Sequence, residues 1–269
     1  MLKNMTIAAK AVFLSHGGGP LPLLGDAGHD ELVQCLKNIA NRIEKPKAIV
    51  LISAHWEAPV FTLTGQARPD LLYDYYGFPN EAYALAYPAT GSPSLATRIQ
   101  SMLIEQRIEA SIETNRGFDH GMFVPMSLMY PEADVPCVQL SLKAELNPEE
   151  HIKVGKALRS LHDENILIIG SGFTFHNMRA FFGKAGPEVL EANAQFEQWL
   201  KQTTVAEMSD ESSRSMALSQ WDRAPGAKLC HPREEHLLPL HVCYGAAQSP
   251  AHAYFSFQIM GIQAGCIIW

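Results

Sequence analysis

Lys47–Ser53 reads KAIVLIS and runs directly into Ala54-His55-Trp56. A short, nearly continuous apolar run rich in Val and Ile fits a strand buried on both faces, as in a sheet covered by helices on each side. Ala11–Ser15 (AVFLS), Val135–Leu142 (VPCVQLSL) and Asn165–Ser171 (NILIIGS) read the same way. Pro59–Gly65 and Ile108–Thr114 alternate more and are expected nearer an edge. Helical stripes lie between these runs: Leu32, Leu36, Ile39 and Ile43 recur at helical spacing, as do Leu95, Ile99, Met102 and Leu103. Asn147-Pro148-Glu149-Glu150 predicts a helix start, with Asn147 as the cap, Pro148 in the first turn and Glu150 reaching back. Pro187–Thr203 predicts a further amphipathic helix carrying Leu190, Phe196, Trp199 and Leu200. The alternation predicts an α/β fold with a central parallel or mixed β-sheet and helices on both faces. Neither a repeat nor a low-complexity linker divides the chain, so residues 1–269 are expected to form a single domain.

Composition narrows the function classes. The chain has 269 residues, of which 47% are hydrophobic and 18% charged, ample for one core and unlike a disordered chain. A formal net charge of -7, with no run of Lys or Arg, excludes the basic footprint of a nucleic-acid or anionic-membrane binder. No apolar run approaches the roughly 20 residues of a membrane span, and the first residues lack the pattern of a signal peptide. The five cysteines (Cys35, Cys137, Cys230, Cys243, Cys266) are odd in number and lack C-x-x-C spacing, which predicts reduced, largely buried thiols and a cytoplasmic setting.

The histidines carry the chemistry. His16 follows the AVFLS strand directly, His55 follows KAIVLIS, and His176 comes shortly after NILIIGS. Buried strands thus deliver imidazoles to their carboxyl ends, the edge where open α/β sheets bind ligands, and the active site is expected there. His120, His231 and His236 stand in loop-like contexts, in FDHG and HPREEH. His29, His151, His162, His241 and His252 lack such context and read as surface or helix-packing residues. Clustered imidazoles suit Zn, Fe, Cu or Ni. The zincin H-E-x-x-H, the dinucleotide G-x-G-x-x-G, the P-loop lysine and the hydrolase G-x-S-x-G are all missing. The glycines of Ser15-His16-Gly17-Gly18-Gly19-Pro20 are expected to let backbone approach a substrate or metal.

Five pieces occur in order: Leu14-Ser15-His16-Gly17-Gly18-Gly19-Pro20, Ser53-Ala54-His55-Trp56, Asp119-His120-Gly121 with Pro125, Gly170-Ser171-Gly172 with His176-Asn177, and His231-Pro232 with Glu235-His236 and Pro239-Leu240. Together they resemble the class III extradiol ring-cleaving dioxygenases (the LigB-type superfamily), in particular the 4,5-DOPA dioxygenase branch. The resemblance covers nearly the whole chain. It implies a non-heme metal that brings a catechol and O2 together, so that the ring opens beside the diol. It implies His16 and His55 as metal ligands, His176 as the acid/base residue and His120 over the substrate oxygens. The third ligand is implied to be His236, with Glu234 or Glu235 as alternatives, and His176 as a further candidate ligand. His231 is placed near the substrate, at the pocket mouth or just behind the ligands. Asp70–Pro79 (DLLYDYYGFP) resembles the segment beside the substrate pocket. Fe(II) is implied for activity, and an all-histidine site predicts Zn(II) in isolated protein, because zinc binds such donors more tightly.

The expected partners are a small aromatic diol and O2, with no nucleic acid and no membrane; a homo-oligomer is left open. Two other readings use the same residues. A zinc-dependent hydrolase would attack with metal-bound water. A non-catalytic binding relative of the fold would keep the pocket without turnover.

Overall fold

In the computed structural model, which describes residues 6–183, 185–205 and 210–269, all four apolar runs form strands. They are β1 (Ala11–Ser15), β2 (Ala48–Ala58), β5 (Cys137–Lys143) and β6 (Ile166–Gly172), joined by β3 (Phe61–Thr64), β4 (Ala110–Glu113), β7 (Ala253–Ile259) and β8 (Ile262–Ile268). They make one sheet in the order β4-β3-β5-β2-β6-β1-β8-β7. The centre β5-β2-β6-β1 is parallel. β3 pairs antiparallel with β5, and β8 with β1, so the sheet is mixed. The core strands are buried along their length, which is why they read as unbroken apolar runs rather than alternating ones.

The helices are α1 (Asp30–Arg42), α2 (Pro93–Glu105), α3 (His120–Met129), α4 (Pro148–Leu158), α5 (Met178–Phe182), α6 (Pro187–Val205), α7 (Glu211–Ser219), α8 (Ala227–Cys230) and α9 (Leu238–Ala247). From β1 to β2 to β5 the chain steps one way along the sheet, and from β5 to β6 it steps back. Right-handed crossovers therefore place α1 and α3 on one face and α4 on the other. The packing agrees: α1 touches α3, while α4 lies on α9, which itself rests on β6, β1 and β2. Leu32, Leu36 and Ile39 of α1 and Leu95, Ile99 and Leu103 of α2 are the buried stripes. Each such side chain contributes roughly 1.5–3 kcal/mol on burial.

The structure differs from the sequence reading in several places. β2 does not stop at Ser53 but continues through His55 to Ala58, with its register to β5 shifting between Ile52 and Glu57. β4 is the edge strand and half-buried, while β3, one strand in, is fully buried. Asn147 caps α4 by accepting from the Glu150 N–H at 3.1 Å, as expected. The Glu150 carboxylate does not reach back; it pairs with Lys143 Nζ at 3.0 Å. On α6, Phe196 and Leu200 are buried but Leu190 is exposed. The hairpin β7–β8 was not read from the sequence at all. It turns at Met260-Gly261, both with positive φ (50° and 83°), the two-residue connection whose twist suits a hairpin.

Candidate metal centre and active site

His16 follows β1 at the carboxyl edge of the sheet, its N–H donating to the Gly172 carbonyl at 3.0 Å. His55 sits in the irregular stretch of β2, where the shifted register turns it out of the ladder. His120 is the first residue of α3, after Asp119 in extended conformation. His176 lies four residues beyond β6, fixed by its N–H to the Cys230 carbonyl at 2.9 Å. His236 precedes α9, and its carbonyl accepts from Phe173 N at 2.9 Å. A Cβ on Gly172 would stand 2.1 Å from that carbonyl, so the Gly170-Ser171-Gly172 segment is glycine-rich because another backbone crosses it.

These segments bring His16, His55 and His236 together, with one ring nitrogen from each within 4.8 Å of the others. His55 Nε2 is 3.0 Å from His16 Nε2 and 3.4 Å from His236 Nε2. The opposite nitrogens face oxygens. His16 Nδ1 meets Ser171 Oγ at 3.0 Å. Since that hydroxyl donates to the Gly121 carbonyl, it must accept from His16. His236 Nδ1 meets Glu235 Oε1 at 3.0 Å, and His55 Nδ1 leans toward Asp74 Oδ2 at 3.8 Å. Hydrogens on Nδ1 leave Nε2 lone pairs of His16 and His236 both directed at His55 Nε2. A single N–H there satisfies one of them; a cation satisfies all three.

The spacing fits a metal. Two imidazole nitrogens each about 2.1 Å from one ion, at angles between about 90° and 110°, stand about 3.0–3.4 Å apart. Oxygen acceptors behind the ligating rings fix tautomer and orientation, the usual support of metal-bound histidine. Burial, and then the neighbouring imidazoles, hold His16 and His236 well below the usual histidine range. Burial and His120 bring His55 down to about 3. The rings are therefore neutral, as ligands must be.

Two overlapping groups, His55–Asp74–His120 and His176–Glu235–His236, also bring ligand atoms close. In each, the carboxylate is already engaged as a hydrogen-bond acceptor. Asp74 Oδ1 takes His120 Nδ1 at 2.7 Å and the His120 backbone N–H at 3.0 Å. Glu235 Oε1 takes His176 Nδ1 at 3.0 Å as well as His236 Nδ1. Burial pushes both carboxyls up, but the histidine contacts outweigh it and leave both below their ordinary values. Glu235 thus faces the outer nitrogen of His236, and Glu234 serves the chain through its carbonyl, which accepts from Leu237 N at 2.8 Å. The His176 ring stacks on His236 with centroids 3.3 Å apart, and His120 lies 3.9 Å from His55.

His231 is not at a pocket mouth. It is fully buried, bonded to the Thr174 carbonyl at 2.9 Å and packed edge-on against Phe196 and Trp221. His29, read as surface or helix-packing, is instead a buried brace: Nδ1 meets Asp26 Oδ2 at 2.6 Å and Nε2 accepts from the Gly18 N–H at 3.0 Å. Gly17 turns with φ +83°, and a Cβ there would meet His29 at 2.8 Å, so this glycine makes room for the brace. His151 and His241 are helix-packing residues as expected, while His162 is half-buried and His252 exposed.

The sequence reading also missed Asp74, Asp119 and Ser171 as parts of the site. Asp74 lies in the DLLYDYYGFP segment, where its isolated charge among aromatics was the available signal. Tyr75, in the same segment, sets its ring 5.7 Å from His120. Asp119 is fully buried, accepting from Ser53 Oγ at 2.8 Å, Arg116 Nη2 at 3.1 Å and Gln139 Nε2. Burial and the Asp74 charge push its carboxyl up against His120, Ser53 and Arg116, which pull it down.

The chain is similar to known proteins over most of its length. The family described as the catalytic LigB subunit of aromatic ring-opening dioxygenase matches residues 10–264. A protein named dioxygenase tasH from Hapsidospora irregularis is 40% identical over 97% of this chain and 85% of its own length. A Beta vulgaris protein named 4,5-DOPA dioxygenase extradiol is 39% identical over 87% of this chain and 85% of its own. An Escherichia coli protein of the same name is 31% identical over 96% of this chain and 91% of its own. The crystal structure of uncharacterized protein JW3007 from Escherichia coli K12 superposes with a TM-score of 0.75 at 28% identity, covering 96% of this chain and 98% of that one. With its histidines gathered at the carboxyl edge of a shared α/β fold, the chain belongs to the aromatic ring-opening dioxygenase family of the LigB catalytic subunit.

Proposed function

We propose that this oxygenase opens the ring of a small catechol beside its two hydroxyls, with O2 as co-substrate, at a metal held by His16, His55 and His236. The convergence of three Nε2 atoms, each ring backed by an oxygen on its far side, carries this reading. Fe(II) is the metal proposed for activity; when bound, it supplies the electron transfer between ring and O2 that no side chain here can provide. Zn(II) fits the same neutral imidazoles and is proposed to occupy isolated protein. A DOPA-like substrate is favoured by the names of the plant and bacterial relatives. The buried, free cysteines support a reducing, cytoplasmic setting.

The proton work falls to His176 and His120. His176 has Nδ1 engaged by Glu235, which leaves Nε2 to take a catechol proton and return it as the ring opens. The Glu235 carboxylate offsets the charge that His176 gains. His120 donates Nδ1–H to Asp74; in this proposal it meets a substrate oxygen bearing negative charge as the imidazolium, with Nε2–H donating and the Asp74 carboxylate balancing the charge. His231 supports the segment between β6 and His176 through Thr174 and does not contact substrate in this proposal. Among the described residues no helix is long and apolar enough to cross a membrane.

The same donor set also suits a zinc hydrolase, which would need neither O2 nor iron. One experiment separates the readings: oxygen consumption on adding L-DOPA or a simple catechol to protein loaded anaerobically with Fe(II), beside a Zn(II)-loaded control. Uptake with a yellow ring-opened product in the iron sample alone is expected. No uptake across a panel of catechols would overturn the dioxygenase reading.

A further inference from the structure

A cavity of about 680 Å³ opens beside the catalytic cluster, with His176 and Glu235 in its wall. Met178, Val189 and Pro232 give it apolar lining, and Arg179 and Arg233 give it positive charge. The two arginines differ. Arg233 is engaged by Glu57 through contacts of 2.5 and 2.6 Å and lies 3.5 Å from Glu235 Oε2. Arg179 is exposed, on α5, and among the described residues no carboxylate pairs with it. The acid in the wall, Glu235, is committed to two histidine N–H groups and does not neutralise Arg179. The cavity therefore combines room for a ring substituent, an apolar wall and an uncompensated guanidinium, next to the residue proposed to take the substrate proton.

We propose that this cavity receives the side arm of the catechol and that Arg179 selects an arm ending in a carboxylate. The inference rests on the catechol reading above and goes further by assigning this cavity and Arg179 to the substituent. A guanidinium meets a carboxylate in a planar, two-point contact that a neutral arm cannot copy. An amino-acid arm qualifies through its carboxylate. Methyl or unsubstituted catechols gain nothing from the arginine and are expected to be poorer substrates.

The test compares wild type with Arg179→Ala, Arg179→Glu and Arg179→Lys, each loaded with Fe(II), on 3-(3,4-dihydroxyphenyl)propionate and on 4-methylcatechol. Arg179→Ala is expected to lose about tenfold in kcat/KM on the carboxylate substrate, mostly through KM, as for a lost hydrogen bond to a charged group. On 4-methylcatechol it should stay within about twofold. Arg179→Glu should lose more than Arg179→Ala on the carboxylate substrate alone, and Arg179→Lys should recover part of the preference. Raising the salt concentration should shrink the wild-type preference. Equal losses on both substrates, or no loss on either, would overturn the proposal. If neither compound is turned over, the catechol reading fails instead. Anaerobic equilibrium binding of the two compounds to wild type and Arg179→Ala then decides this inference separately: an Arg179-dependent preference for the carboxylate upholds it, and equal binding overturns it.

Discussion

His120 gives both its backbone N–H and its ring Nδ1 to one oxygen of Asp74, at 3.0 and 2.7 Å. The other Asp74 oxygen lies 3.8 Å from His55 Nδ1, so one carboxylate orients a proposed substrate-facing histidine and a proposed ligand. Asp74→Asn keeps an acceptor but loses the charge and can present its amide to the wrong partner. The expected result is a fall in kcat of about 10- to 100-fold, the usual cost of losing a carboxylate behind a working histidine. Steady-state rates measured at saturating Fe(II), with the metal assayed in the same sample, check it. An unchanged kcat would show that His120 is held well enough by packing alone.

The position of Glu235 leads to a second prediction. Its Oε1 accepts from the outer nitrogens of His236 and His176, both at 3.0 Å. Glu235→Gln is expected to weaken metal binding by about 10- to 100-fold while leaving the fold intact. Glu234→Gln should bind metal like wild type, and His236→Ala should lose it. Chelator competition on the three variants measures this. Metal lost from Glu234→Gln and kept by His236→Ala would move the third ligand to Glu234.

Much of this was legible in the sequence, for physical reasons that particular residues illustrate. β1, β2, β5 and β6 declare themselves because strands covered on both faces cannot afford polar positions, and His16, His55 and His176 stand out as imidazoles at the ends of such runs. What stayed hidden depends on partners remote in sequence. Asp74 acts on His120, 46 residues on, and His55 meets His236 across 181 residues, so no local pattern announces either contact. Glu235 beside His236 offers two plausible ligands to a reader of the sequence; only the orientation of the His236 ring separates the one facing inward from the one behind it. The hairpin β7–β8 was missed because β7 is a half-exposed edge strand, not a two-faced apolar run. His29 was passed over because the Gly18 amide it supports lies across a turn.

Gly172 tests how closely the His236 segment is set against the sheet. A Cβ there would lie 2.1 Å from the His236 carbonyl, which is backbone and cannot swing aside. Gly172→Ala is expected to destabilise the protein by about 1–3 kcal/mol through overpacking and to displace His236. Gly186, which has nothing within 4 Å of such a Cβ, is the control and should tolerate alanine. Thermal unfolding with metal content measured alongside distinguishes the two. A Gly172→Ala variant with wild-type stability and metal would show that the loop can relax at little cost.

Glu197 sets a pH dependence of stability apart from the metal centre. It is almost wholly buried on α6, with Tyr254 Oη donating to Oε2 at 2.5 Å and Oε1 lacking a hydrogen-bond partner among the described residues. Burial raises its pKa from 4.5 to about 7. Between those values the folded state holds a proton that the unfolded chain has released, so stability from this group is fully present below pH 4.5 and falls until pH passes about 7. The shift corresponds to roughly 3 kcal/mol. Glu197→Gln keeps the shape and removes the titration. Urea unfolding of both proteins at pH 5.5 and pH 8 should therefore show wild type losing more stability than the variant as pH rises, a comparison in which the buried histidines cancel. Parallel losses in the two proteins would mean that Glu197 is ionised in the folded state at both pH values, with water or a shifted neighbour meeting its second oxygen.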